Sequence, residues 1–412
     1  MANQLDKIFE SFDKNFIFKD KSALQINHQP KEIIYRDEQI NQIASILAPI
    51  LRGERPSNLF LYGKTGTGKT LSIKHVREHL LKRVKEDVGF QLRIEYLNCK
   101  LKKVSDTEYR ILAELIRKMG GQVPTTGLPT ESVYNKFIEI VDEKKQLVVL
   151  ILDEIDYTVK KISDDFLYNL TRLNSELSKA QISIVGISND LTFLESVDAR
   201  VRSSLSEEEV IFPPYNAVQL KEILKKRADE VFKPNVVNEG VVEKCAAYAA
   251  RSHGDARRAL DLLRVAGELS EREGSKKILL AHIDAANEKI ERDKILDVVK
   301  SEPKQFQYVL YSIIKLSEKS NQKKLSQKNE RGYSLFTGEI YNYYRMLCER
   351  DKMEILTQRR VSDVIQEFDM LGIINVRVIS KGRGGRMREV KLAVSPPIVD
   401  KVKQIIEESL FK

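Results

Sequence analysis

Eight consecutive residues, Gly63-Lys64-Thr65-Gly66-Thr67-Gly68-Lys69-Thr70, follow the apolar run at residues 59–62 and match G-x-x-x-x-G-K-[ST] at every required position. Glycines let a backbone wrap an anion and turn its N–H groups inward. A helix beginning near Lys69 adds the positive end of its dipole. The Lys69 ammonium is placed for β- and γ-phosphates, and the Thr70 hydroxyl for Mg²⁺. The spacing therefore predicts a nucleoside-triphosphate site built from residues 63–70. A fortuitous glycine-rich turn is the alternative, and a strand before with a helix after speaks against it.

Four further groups suit the same chemistry. The apolar run at residues 147–152 ends in Asp153-Glu154. Asp153 is expected to bind Mg²⁺ through its water shell, and Glu154 to orient and deprotonate an attacking water. Residues 183–190, SIVGISND, put Asn189 at a strand tip, beside a γ-phosphate. An ordinary turn asparagine is the bland reading there. In DARVRSSL, Arg200 or Arg202 is suited to reach a nucleotide on a neighbouring subunit, against a plain surface ion pair. In GDARRAL, Asp255 suits a helix N-cap and sets Arg257 in the first turn, where it can fold over the γ-phosphate.

Positioning these residues takes a parallel sheet. Apolar runs at 58–62, 92–97, 147–152 and 182–187, with a shorter one at 209–212, alternate with helical stretches. Pro213-Pro214 closes that region. From 215 to 292 the apolar spacing is helical throughout, over 217–231, 238–252, 255–271 and 281–291. Beyond it, helices are expected at 303–316, 337–348 and 359–371, with a lysine-rich loop at 317–331 and strands at 373–379 and 388–394 joined by KGRGGRM. Three helices and a hairpin make a winged helix-turn-helix. The expected fold is thus α/β, with a nucleotide-binding base at 1–214, an all-α lid at 215–293 and a winged helix at 294–412.

Composition narrows the class. The chain of 412 residues is 42% apolar, and its runs fall short of the ~20 residues that span a bilayer. With no secretory signal at its start, a cytoplasmic, nucleoid-associated protein without a membrane partner is expected. Cys99, Cys245 and Cys348 are too scattered for a disulfide framework or a zinc site. Residues 301–412 carry 21 Lys and Arg against 14 Asp and Glu, +7 of the chain's net +9. A polyanion partner for this quarter is the pointed reading, and a solvated lysine-rich surface the plain one.

The five groups, in this order, resemble an AAA+ ATPase, whose base is a five-stranded parallel sheet followed by a helical lid. An extra helical segment at residues 100–130 (VSDTEYRILAELIRKMGG), GDARRAL and the winged helix narrow this to a resemblance with the archaeal origin-binding replication initiators, relatives of the origin recognition complex and cell division control protein 6. The family's proline-leucine element near the N-terminus is replaced by EIIYRDEQI, in which Arg36, Gln39 and Ile40 keep the pattern. The resemblance implies ATP and ADP as ligands with Mg²⁺, and adenine contacts from Ile34, Tyr35, Arg36, Tyr215 and Arg227. It also implies slow hydrolysis used as a switch, double-stranded origin DNA and the replicative helicase as partners, paralogous subunits, and DNA contacts from the inserted segment at Lys102 and Lys103.

In the winged helix, Val361, Val364, Ile365, Phe368 and Leu371 form the buried stripe of the third helix, leaving Arg359 and Arg360 exposed toward a major groove. Lys381, Arg383 and Arg386 interleave with glycines at the hairpin tip, which suits the narrow, electronegative minor groove. The rival is a P-loop ATPase whose winged helix serves signalling or transcription. It leaves the inserted segment and GDARRAL unexplained.

Overall fold

The structure is a computed structural model of the whole chain, and it describes residues 17–25, 28–30, 32–84, 89–100, 107–124, 127–205, 207–326, 335–380 and 386–411. These fall into two compact units, residues 1–284 and 285–412.

The first unit opens with α1 (Asp37–Leu47), then β1 (Asn58–Tyr62), α2 (Lys69–Arg83), β2 (Gln91–Asn98), α3 (Glu108–Lys118) and α4 (Thr130–Val141). It continues with β3 (Gln146–Asp153), α5 (Ile155–Lys161), α6 (Asp165–Arg172), β4 (Gln181–Ser188), α7 (Ala199–Leu205) and β5 (Glu207–Ile211). The described strands form one parallel sheet in the order β2-β3-β4-β1-β5. Strand side chains alternate between faces, so two cores follow. Phe60, Val148, Leu150 and Ile184 pack with Leu112, Phe137 and Phe166 on one side. Leu59, Leu61, Val149 and Val185 pack against Ile43, Ile73 and Val76 on the other. Both faces being covered at β1, β3 and β4 explains why these three strands read as near-continuous apolar runs.

Three helices then pack together: α8 (Ala217–Val231), α9 (Val241–Arg251) and α10 (Ala256–Arg272). Asn216 and Gln219 close a capping box on α8, and Asp255 caps α10 through the N–H groups of Arg257 and Arg258. The helix expected at 281–291 is longer, α11 (Leu280–Ser301), and the division between the units falls within it.

The second unit holds α12 (Lys304–Ser326), β6 (Leu335–Phe336), α13 (Thr337–Arg350), α14 (Gln358–Met370), β7 (Ile374–Ser380), β8 (Arg386–Leu392) and α15 (Pro396–Leu410). Its sheet has the order β6-β8-β7. Phe368, Val364, Tyr344 and Ile313 form its core with Val402 and Ile406. One expectation is corrected. The loop expected from residue 317 is helical through Ser326, because Lys, Gln, Glu and Ser without Gly or Pro sustain a helix that has already begun. The hairpin is followed by α15, which opens on Pro396-Pro397, where proline suits the first turn of a helix.

Candidate functional site

The tips of β3, β4 and β1 lie side by side at the carboxyl edge of the sheet, with Asn98 of β2 level with Asp153. Ligands of open parallel sheets bind beyond this edge. A cavity of about 800 Å³ opens there, and Thr65, Lys69, Thr70, Asp153, Glu154 and Asn189 all line it.

The loop leaving β1 is shaped by its glycines. Gly66 has φ 70°, and a Cβ on it would fall 1.7 Å from Asp255 Oδ1, so only glycine fits beneath the start of α10. Gly68, with φ 94°, ends the loop and opens α2. Lys69 is buried at the mouth of the loop. Its Nζ donates to the carbonyl oxygens of Gly63 (2.5 Å) and Lys64 (2.8 Å) and to Asn189 Oδ1 (2.9 Å). Burial pushes its pKa down to about 8, and the charge of Asp153 offsets only part of that. Such a charge is under-compensated by its neighbours. The hydroxyl of Thr67 turns back onto Lys64 O at 2.8 Å, while Lys64 and Thr65 are exposed.

Asp153 is held on three sides. Its Oδ2 accepts from Thr70 Oγ1 at 2.8 Å and from Tyr96 OH at 2.7 Å, and its Oδ1 from the Glu154 N–H at 2.9 Å. Burial, then the charge of Asp153, raises the Tyr96 pKa, so the phenol stays a donor. A hydroxyl and a carboxylate at this distance fit Mg²⁺, which takes oxygen ligands and completes its shell with phosphates and water. Among the described residues there is no cluster of three or more metal-ligating side chains. Glu154 adopts φ 56°, unusual for a residue other than glycine, at the turn from β3 into α5. Its carboxylate lies 3.1 Å from Lys100 Nζ and 3.5 Å from Asn98 Nδ2.

Helix α10 meets the loop directly. The Ala256 N–H donates to Gly66 O at 3.3 Å, and Thr65 Oγ1 lies 3.4 Å from Asp255 Oδ2. Arg257 is exposed and lines the cavity beside Ala256. The cavity is also lined by Ile34, Tyr215 and Arg227, the last bonded to Glu230 at 3.2 Å.

Other expected residues stand elsewhere. Tyr35 and Arg36 do not line the cavity. Arg36 is buried behind the phosphate loop. Its Nε donates to Thr67 O at 2.8 Å and its guanidinium to Pro213 O at 2.6 Å, while it stacks on Tyr215 at 3.8 Å. Arg200 is exposed at the start of α7 and pairs with Asp198 at 3.1 Å. In the second unit, Arg359 and Arg360 are exposed on the first turn of α14, capped by Thr357, with Arg360 3.9 Å from Glu367. Lys102, Lys103, Lys381 and Arg383 lie outside the described residues, and Arg386 begins β8 opposite Ser380. Tyr96, Lys100 and Asn98 were not singled out from sequence. Their one signal is their place at the end of the strand beside the acid strand. The cavity wall formed by Leu24, His28 and Pro30 had none, since it carries no periodic pattern.

Residues 52–193 match the family model for an AAA domain, residues 221–288 that for a Cdc6 AAA+ ATPase-type lid domain, and residues 297–402 that for a CDC6 C-terminal winged helix domain. Sheet, phosphate loop, acid strand and helical lid together define an AAA+ protein. The ORC1-type DNA replication protein of Pyrococcus abyssi is 50% identical over 95% of this chain and 91% of its own length. That of Thermococcus kodakarensis is 50% identical over 97% and 94%. A solved structure, the Aeropyrum pernix ORC1 protein in complex with DNA, is 40% identical, covers 95% of this chain and 97% of its own, and superposes with a TM-score of 0.80. The chain belongs to the Orc1/Cdc6 family of DNA replication initiators. Cdc6p of Pyrobaculum aerophilum shares the fold at 20% identity, 96% and 100% coverage and a TM-score of 0.59.

Proposed function

We propose that this protein is an ATP-dependent initiator that binds duplex origin DNA and helps to load the replicative helicase. Residues 1–214 are the base, 215–293 the lid and 294–412 the DNA-binding winged helix. The observation that carries the nucleotide half of this reading is the seat of α10 on the phosphate loop, through Ala256 to Gly66 and Asp255 to Thr65. A triphosphate bound there touches base and lid together, so its loss changes what holds them.

Residues 63–70 cradle the phosphates, Lys69 neutralises them, and Thr70 with Asp153 holds Mg²⁺. Bound Mg²⁺ supplies charge stabilisation at the β- and γ-phosphates. Glu154 takes the proton of the attacking water, and Asn189 holds that water and the γ-phosphate in line. Arg257 reports the γ-phosphate to the lid. Arg200, free of this chain's own cavity, serves the site of a paralogous neighbour. Adenine rests against Ile34, Tyr215 and Arg227, with Tyr35 and Arg36 supporting that wall from behind. The 3.1 Å pairing of Glu154 with Lys100 supports slow turnover, because the carboxylate must turn from this partner to meet a water. Arg359, Arg360, Lys381, Arg383 and Arg386 hold DNA in the winged helix, and Lys102 and Lys103 add contacts from the base. The protein acts in the cytoplasm, on the nucleoid.

Affinity for a labelled origin duplex, measured with ATP and with ADP at fixed salt, tests the reading. A nucleotide-dependent difference of about tenfold is expected, within the usual range of coupling between two sites. Equal affinities would remove the switch.

A further inference from the structure

Asn189 can assist hydrolysis only if its amide is held still relative to Glu154. The amide oxygen accepts from Lys69 at 2.9 Å, but the backbone beneath it sits in a loop after β4. That loop is gripped from α5 at two successive residues. The Asp156 carboxylate faces the backbone N–H of Asn189. One turn later, Lys160 Nζ meets Asp190 Oδ2 at 2.6 Å. Asp190 in turn organises its own loop, its Oδ1 accepting from the Thr192 N–H at 3.0 Å and from the Thr192 hydroxyl at 2.9 Å. Helix α5 begins directly after Glu154, at the turn where φ is 56°. The same short helix therefore starts at the proposed base and ends on the loop that carries Asn189.

Asp156 is costly to keep. Its Oδ1 is fully buried without a hydrogen-bond partner. Burial raises its pKa above the usual carboxylate range. A surface-loop role would not need a carboxylate taken out of water in this way, and an apolar residue would pack at less cost.

We propose that Asp156, seconded by Lys160, is a positioning residue for ATP hydrolysis: it fixes the Asn189 backbone against α5, so that Asn189 and Glu154 keep one geometry. Neither side chain touches the nucleotide. The inference rests on reading the cavity as the hydrolytic site. Binding of ATP, made by residues 63–70, does not depend on it.

The test is single-turnover hydrolysis, with ATP and ADP affinities, on Asp156→Ala, Asp156→Asn, Lys160→Ala and Asn189→Ala, and on each of the first three combined with Asn189→Ala. Asp156→Ala is expected to slow hydrolysis about 10- to 100-fold, as small misplacements of catalytic groups do, with nucleotide affinities within about twofold of the parent. Asp156→Asn keeps an oxygen acceptor for the Asn189 N–H and recovers much of the loss. Lys160→Ala, an exposed change that spares folding, slows hydrolysis about two- to fivefold. Once Asn189 is alanine, none of the three has a further effect, because residues acting as one unit are non-additive. Full additivity, or parent-like rates in both Asp156→Ala and Lys160→Ala, would overturn the proposal while leaving the hydrolytic reading standing if Glu154→Gln is inactive. If Glu154→Gln hydrolyses at the parent rate, both fall. Should Asp156→Ala not fold, additivity of Lys160→Ala and Asp156→Asn with Asn189→Ala decides the matter.

Discussion

Arg36 keeps the family pattern yet stands behind the phosphate loop, so its substitution separates two roles. In the structure it is a brace. It joins Thr67 O of the loop to Pro213 O at the exit of β5, and Tyr215 covers its face. Hydrogen bonds to charged groups are worth roughly 1.5–3 kcal/mol each, and a buried carbonyl left without a partner costs about 1–3 kcal/mol. Against this stands the desolvation that lowers the guanidinium's own pKa. Arg36→Ala is therefore expected to destabilise the first unit by about 3 kcal/mol, which at ~2–4 °C per kcal/mol lowers its Tm by roughly 6–12 °C. Arg36→Lys, whose ammonium reaches one carbonyl and lacks a planar face, should lose about half of that. Calorimetry gives Tm, and titration well below Tm gives affinities for ATP, ADP and GTP. A slackened loop weakens all three alike. A variant with the parent's Tm and a selective loss of adenine nucleotides would refute the brace and make Arg36 a reader of the base.

Three further outcomes follow from the site. Lys69→Ala should abolish ATP binding, whereas Glu154→Gln should bind ATP and lose hydrolysis, since the proposed reading has one group meet phosphate in the ground state and the other act on water; nucleotide binding and single-turnover rates check both. Arg257→Ala should fold normally, its side chain being exposed, but narrow the difference in DNA affinity between ATP and ADP; an unchanged difference would take Arg257 out of the switch. Changing Lys381, Arg383 and Arg386 together to alanine should spare ATP binding and reduce the slope of log affinity against log salt by up to about 2.7, at roughly 0.9 per phosphate contact. A slope equal to the parent's would leave recognition to α14 and the inserted segment.

Much of this was legible in the residues because local and tertiary signals agree. The apolar runs of β1, β3 and β4 became central strands because both sheet faces are covered there, while β2 and β5 stand at the edges and are more exposed. Helix α8 spans the residues its periodicity gave, fixed at its start by the Asn216–Gln219 box. Contacts made across the fold were not legible. Nothing near Tyr96 announces Asp153, which is 57 positions away and reached only by strand pairing. Arg36 carries a motif position, but its partners Thr67 and Pro213 come from two other loops. The length of α12 was hidden because a polar, lysine-rich helix face and a polar loop have the same composition. Helix α15 was not assigned from sequence, and its proline pair is the signal that could have found it, since proline suits a helix's first turn.

The most direct test of the central claim is a genome-wide map of the DNA this protein protects in growing cells, set against the positions where replication forks begin. For an origin-binding initiator the protected sites coincide with fork starts, and they weaken in cells carrying Lys69→Ala. Protection confined to promoters, with fork starts bare, would contradict the claim and favour a transcriptional role for the same winged helix.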